Sequence, residues 1–84
     1  MFVHVRLFAR ARDLAGADVL RVELPGGATV ADLRRRLAAD YPMVSSLLER
    51  SALAVESEFA ADSLLLSADA EVALLPPVSG GESL

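Results

Sequence analysis

The chain has no cysteine and no tryptophan, and only one histidine. Without a thiol there is no disulfide, no thiolate metal site and no cysteine nucleophile. Lysine is missing too: all eight basic residues are arginine. No side chain offers an ε-amine for Schiff-base chemistry or as the acceptor of an isopeptide bond. No apolar run approaches the ~20 residues of a membrane span. The opening Met1-Phe2-Val3-His4-Val5-Arg6 alternates, and is too short and polar for the apolar centre of a signal peptide. These absences predict a cytoplasmic protein with no membrane partner. Twelve acids against eight bases give a net charge of −4. A nucleic-acid-binding domain normally shows the opposite balance, so no nucleic acid is expected as a partner.

What is present is enough for one domain. Eighty-four residues leave no room for a second. Apolar residues make up 54% of the chain, which supplies a core and argues against disorder. A chain of this size buries roughly 60–65% of its unfolded surface, so the core is modest.

Residues 2–8 alternate with period two, Val3, Val5 and Leu7 against Phe2, His4, Arg6 and Phe8. This predicts a strand with one strongly apolar face. Residues 9–16 favour a short helix that Gly16 ends. Residues 19–24 alternate again and predict a second strand, paired with the first. Pro25-Gly26-Gly27 is a break. Thr29 then reads as a helix N-cap, with Asp32 three residues on completing a variant capping box. The helix is expected to run to about Asp40, with Val30, Leu33 and Leu37 as its apolar stripe and Arg34, Arg35 and Arg36 in water. Pro42 ends it. Residues 43–50 form a shorter helical candidate. Residues 53–56 predict a third strand, and residues 57–60 continue it or turn back. Residues 71–75 are apolar on both faces apart from Glu71, as in a strand central to its sheet and lying beside the first.

The expected fold class is therefore α+β: one main helix across a mixed sheet of four to five strands, the ubiquitin-like β-grasp. Residues 1–78 are assigned to this domain and residues 79–84 to a flexible tail. Pro76 and Pro77 stop the last strand, having no backbone N–H and a fixed φ. Beyond them, Val78-Ser79-Gly80-Gly81 is thin enough to enter a narrow channel, where a Cβ would clash.

The titratable residues give little chemistry. A lone His4 on a strand reads as structural, and no cluster has metal-ligand spacing. Glu56 and Glu58, two apart on a predicted strand, share a face and read as solvated rather than as an acid–base pair. Gly26-Gly27 precedes a helix, but its spacing matches no phosphate-binding fingerprint.

Four segments stand out: Phe8-Ala9 with Arg12-Asp13-Leu14-Ala15-Gly16, Thr29-Val30 with Leu33, Ala54-Val55-Glu56, and, most specific, the run from Asp69 through Val72, Pro76-Pro77-Val78 and Gly80-Gly81. Together they resemble the small subunit of molybdopterin synthase, a ubiquitin-like sulfur carrier, and the likeness covers nearly the whole chain. The resemblance implies a non-catalytic subunit that binds no cofactor itself. An E1-like adenylating enzyme would use ATP to activate the Gly81 carboxylate, and sulfur would replace AMP to give a thiocarboxylate. The synthase large subunit would take that sulfur for the dithiolene of molybdopterin, with Pro77, Val78, Ser79 and Gly80 entering its channel. Phe8, Phe59 and Leu75 match the apolar positions that grip this partner.

One departure stands out. Family members usually end at the second glycine, whereas this chain continues as Glu82-Ser83-Leu84. Carrier chemistry at Gly81 then requires a protease to remove residues 82–84. Otherwise those residues are foreign to the natural chain, or the carrier role is lost. Alternative readings are a carrier for thiamine, tRNA thiolation or cysteine, and a ubiquitin-like modifier or interaction module.

Overall fold

A computed structural model describes residues 1–75 of the chain. The alternation in the first residues forms β1 (Phe2–Leu7), followed by α1 (Ala9–Ala15) and β2 (Val19–Glu23). Gly16 ends α1 in the left-handed region at φ 71°, donating its N–H to the Arg12 carbonyl. Helix α2 (Val30–Asp40) opens on the expected capping box. A single 3-10 turn, Pro42–Val44, leads into α3 (Ser45–Leu48). Three strands complete the described chain: β3 (Ala52–Val55), β4 (Glu58–Phe59) and β5 (Glu71–Leu75).

The five strands lie in the order β2-β1-β5-β3-β4. β5 sits at the centre, parallel to β1 and antiparallel to β3, and the remaining neighbours pair antiparallel. This mixed sheet with one helix across it is the ubiquitin-like β-grasp. One face carries the core: Val3, Val5 and Leu7, then Leu20 and Val22, Leu53, and Val72 and Leu74. Val30, Leu33 and Leu37 of α2 close over it with no exposed surface. Each such side chain contributes about 1.5–3 kcal/mol by leaving water.

Two local details differ from the sequence expectation. Glu56 is not on a strand. It and Ser57 form the two-residue turn of the β3–β4 hairpin, with φ of 50° and 72°. A strand register could not reveal this, because neither residue is a usual left-handed turn former. The Glu56 carboxylate instead accepts the Glu71 N–H at 2.9 Å, so it does not stand beside Glu58 on one face. Arg34 is not merely solvated. Its Nε donates to Asp62 Oδ1 at 3.0 Å and its Nη1 to the Leu48 carbonyl, tying α2 to α3 and the 60s loop. Residues 63–66 form no strand, but Leu65 bridges to Thr29 and Leu66 is buried in the core.

Asp32 generates a pH dependence. The Thr29 N–H donates to Asp32 Oδ2 at 2.9 Å and the Thr29 hydroxyl at 3.1 Å, and Arg35 pairs with Oδ1. These bonds, the Thr29 backbone bond first, hold the Asp32 carboxyl below its ordinary range. The folded value lies below the unfolded one. Its stabilisation is therefore fully present above the unfolded value and lost as pH falls through the folded value. Asp32→Asn should be less stable than wild type at neutral pH, with the gap closing in acid unfolding titrations. A gap constant with pH would contradict this.

The hairpin turn generates a second expectation. A two-residue turn with both φ positive strongly prefers glycine at its second position, since a Cβ there costs roughly 1–2 kcal/mol. Ser57 is exposed, so no packing is lost on replacing it. Ser57→Gly should stabilise the domain by ~0.5–1 kcal/mol in denaturant unfolding, after the entropy of the added glycine is counted. A loss of stability would overturn the turn assignment.

Candidate functional site

The face of the sheet away from α2 is open, and its composition changes from one end to the other. At the starting end of β1, His4 stands between Arg21 on β2 and Glu71 on β5. Phe2 is paired with Glu23, and the Arg21 guanidinium stacks on the Phe2 ring at 3.9 Å from its centroid. This end is polar and charged. Further along, one cross-strand row runs Phe59, Ala54, Ala73, Arg6, Val19 from β4 to β2. The next row pairs Ala52 with Leu75. This end is apolar apart from Arg6.

The alanines matter for the residues beside them. Ala52, Ala54 and Ala73 keep the middle of the sheet low, so no bulky neighbour covers Phe59. Its ring is 78% exposed, the most open of the large apolar side chains among the described residues. A shallow depression of about 200 Å³ lies beside it, lined by Arg6, Ala54, Glu56, Glu71 and Ala73. An exposed aromatic beside a flat floor of small residues is a surface that association would cover.

All three apolar residues singled out in the sequence lie outside the core and come to this face. Phe8 leaves β1 in extended conformation (φ −133°, ψ 156°) as the residue before α1, and is 39% exposed. Leu7 pairs with Leu74, so Phe8 comes off β1 level with Leu75. Leu75 is half-buried at the end of β5. Two strand spacings and two residues separate Phe59 from Leu75, about 12 Å. Pro77, Val78, Ser79, Gly80 and Gly81, and the tail assigned to residues 79–84, lie outside the described residues. Leu75, the last residue described, is on the apolar end of the face.

The sequence reading missed the alanine floor, Arg6 and Val19. Their signal was present in the alternation of β1, β2 and β5, but which strands are neighbours is not readable from alternation alone. Arg6 becomes notable only because β5 lies beside β1 and places Ala73 opposite it.

The face holds little catalytic chemistry of its own. Among the described residues, no group of three or more His, Cys, Asp or Glu side chains could hold a metal ion. No described helix is long and apolar enough to cross a membrane. The geometry offers a docking face that adjoins the outgoing end of the chain.

Known proteins share this arrangement. The sequence model of the ThiS family matches residues 5–81. A molybdopterin synthase sulfur carrier subunit from Dictyostelium discoideum is 38% identical over 80 residues, covering 92% of this chain and 93% of that one. One from Arabidopsis thaliana is 34% identical over 79 residues, covering 94% and 82%. The crystal structure of small archaeal modifier protein 1 from Haloferax volcanii superposes with a TM-score of 0.85 at 32% identity, covering 96% and 100%. In fold and along nearly its whole length, the chain belongs to the ThiS family and is similar to molybdopterin synthase sulfur carrier subunits.

Proposed function

We propose that this chain is the sulfur-carrier small subunit of a molybdopterin synthase, presenting a Gly81 thiocarboxylate as sulfur donor for the dithiolene of molybdopterin. The observation that carries the reading is the end of the family match. It runs through Pro76-Pro77-Val78-Ser79-Gly80 and closes on Gly81. The exposed Phe59 and the end of β5 on one face supply a surface for the synthase large subunit.

The chemistry is dictated by the groups the chain lacks. A carboxylate is a poor electrophile until an acyl–phosphate bond supplies a leaving group, so an E1-like enzyme uses ATP to adenylate Gly81. AMP leaves when a sulfur nucleophile attacks the carbonyl. That sulfur comes from elsewhere, because this chain has no cysteine. The carrier supplies neither acid nor base; its contribution is position. Residues 82–84 leave first, by the action of a protease. In the alternative reading the activated Gly81 is joined to an amine of another protein. The likeness to small archaeal modifier protein 1 favours keeping it.

Two measurements test this. A version ending at Gly81 should support ATP–pyrophosphate exchange with its activating enzyme, and the full chain should support little. Residues 82–84 would put Leu84, not Gly81, at the α-phosphate, and Glu82 would bring a negative charge toward the triphosphate in a low-dielectric site. Equal exchange by both versions, with the tail shown intact by mass, would sink the processing step.

The docking face is tested by Phe59→Ala. Because the ring is largely in water, the isolated domain should change in stability by less than about 0.5 kcal/mol. Affinity for the large subunit should fall by ~10–1000-fold. Unchanged affinity together with easier unfolding would make Phe59 a structural residue instead.

A further inference from the structure

We propose that the chain is a one-way acyl donor: once its terminal glycyl group is activated, neither its own side chains nor those of a second copy can accept it. The proposal rests on the carrier reading above and adds where the activated group cannot go.

An activated glycyl carbonyl is open to any amine within reach. The amine lone pair attacks the carbonyl carbon and a C–N bond forms. The bond to the leaving group breaks, AMP or a thiolate departs with the electron pair, and the amine proton passes to water. The product is an amide, and the carrier is spent. A lysine on the carrier would be the commonest culprit. At pH 7.4 about one lysine in a thousand is unprotonated. Tethering offsets this, because a short flexible connection holds the two groups at roughly millimolar effective concentration.

The structure shows where such a lysine would do harm. β1 and β5 are parallel, so both end on the same side of the sheet. Arg6 stands opposite Ala73, on the face that Leu75 reaches two residues later. Arg10 and Arg12 come next on α1, directly after the end of β1. Gly81 is the sixth residue after Leu75, a reach of about 20 Å at full extension. Arg6, Arg10 and Arg12, the cations at and just after the outgoing end of β1, are each a guanidinium, and that of Arg12 pairs with Asp18. Arginine keeps the positive charge but stays protonated, with pKa above about 12, and is no nucleophile at working pH.

The remaining candidates are also held back. No side chain carries a thiol or an amine. Met1 precedes β1, at the end of the sheet away from Leu75, and its nitrogen donates to the Leu24 carbonyl at 2.6 Å. His4 lies opposite Glu71, at the end of β5 furthest from Leu75. Acylation of an imidazole would in any case end in hydrolysis, which returns the carboxylate rather than forming a conjugate. If the protein acts as a modifier, the same composition limits it to single additions, since one copy cannot be linked to a side-chain amine of the next.

The test bypasses the activating enzyme. Residues 1–81, which contain every strand and helix described, are prepared as a Gly81 thioester by intein thiolysis and held at mildly basic pH. Intact mass and denaturing gels track the products. Wild type should decay only to the free acid, with no cyclic and no dimeric amide. Arg6→Lys should form an internal amide at least tenfold above the wild-type level. Digestion should map that amide to a link between position 6 and Gly81, and the circular dichroism should be unchanged. Arg10→Lys and Arg12→Lys provide independent positions should the first variant perturb the sheet. The proposal is overturned if wild type forms cyclic or dimeric amide as fast as the lysine variants. It is equally overturned if none of the three variants forms any. Because the thioester is made chemically, these outcomes are separate from the carrier reading, which stands or falls on the exchange assay.

Discussion

The parallel pairing of β1 with β5 is the constraint on which the rest of the molecule depends. It inserts the last strand between the first and the third, and buries Val72 and Leu74 against α2. The Ala70 carbonyl accepts the His4 N–H at 3.1 Å, and the ladder then runs through Leu7 and Leu74. A strand held on both sides resists fraying, so the outgoing chain has a fixed point of departure at Leu75. The same pairing puts the start of α1, with its arginines, beside that point. It also makes folding non-local. The sheet is incomplete until residues separated by most of the chain meet, which raises the loop-closure entropy of the transition state.

Function depends on a division between two faces. The inner face is aliphatic and closed by Leu33 and Leu37, and it carries the stability. The outer face is graded, charged around His4 and apolar around Phe59, with an alanine floor between strands. Such a face gives up little stability when left uncovered by its partner, because the exposed ring was never part of the core. In the proposed function it also orients a partner, since β5 ends at Leu75 on the apolar end. The composition completes the division. In the proposed function the chain contributes position and a carbonyl, and leaves acid, base and sulfur nucleophile to other proteins.

Much of this was legible in the residues. The alternation of β1 and β2 and the Thr29–Asp32 cap each have a single physical reading, and each matches the structure. The central position of β5 matches as well, but not for the expected reason: Val72 and Leu74 are buried on the inner face, while Ala73 and Leu75 lie half-buried on the open one. The misreadings have a common cause. Glu56 and Ser57 look like strand residues because propensity expects Asn or Gly where φ is positive, and the Glu56–Glu71 hydrogen bond that supports the turn spans 15 residues. Arg34 looks solvated because its partners, Asp62 and Leu48, come from distant segments. Local pattern reports what a residue prefers, not which remote group will satisfy it.

The site was legible in part. Phe8, Phe59 and Leu75 stood out by resemblance, and their convergence on one face depends on strand order. The alanine floor was not visible as a feature, because a small residue becomes informative only when its cross-strand neighbour is known. The central claim concerns the end of the chain and its chemistry. The most direct measurement is the intact mass of the protein isolated from its native host under conditions where sulfur transfer is active. The account predicts a chain ending at Gly81, a fraction of it with one carboxylate oxygen replaced by sulfur. A population uniformly retaining residues 82–84, with an unmodified carboxylate on Leu84, would contradict it.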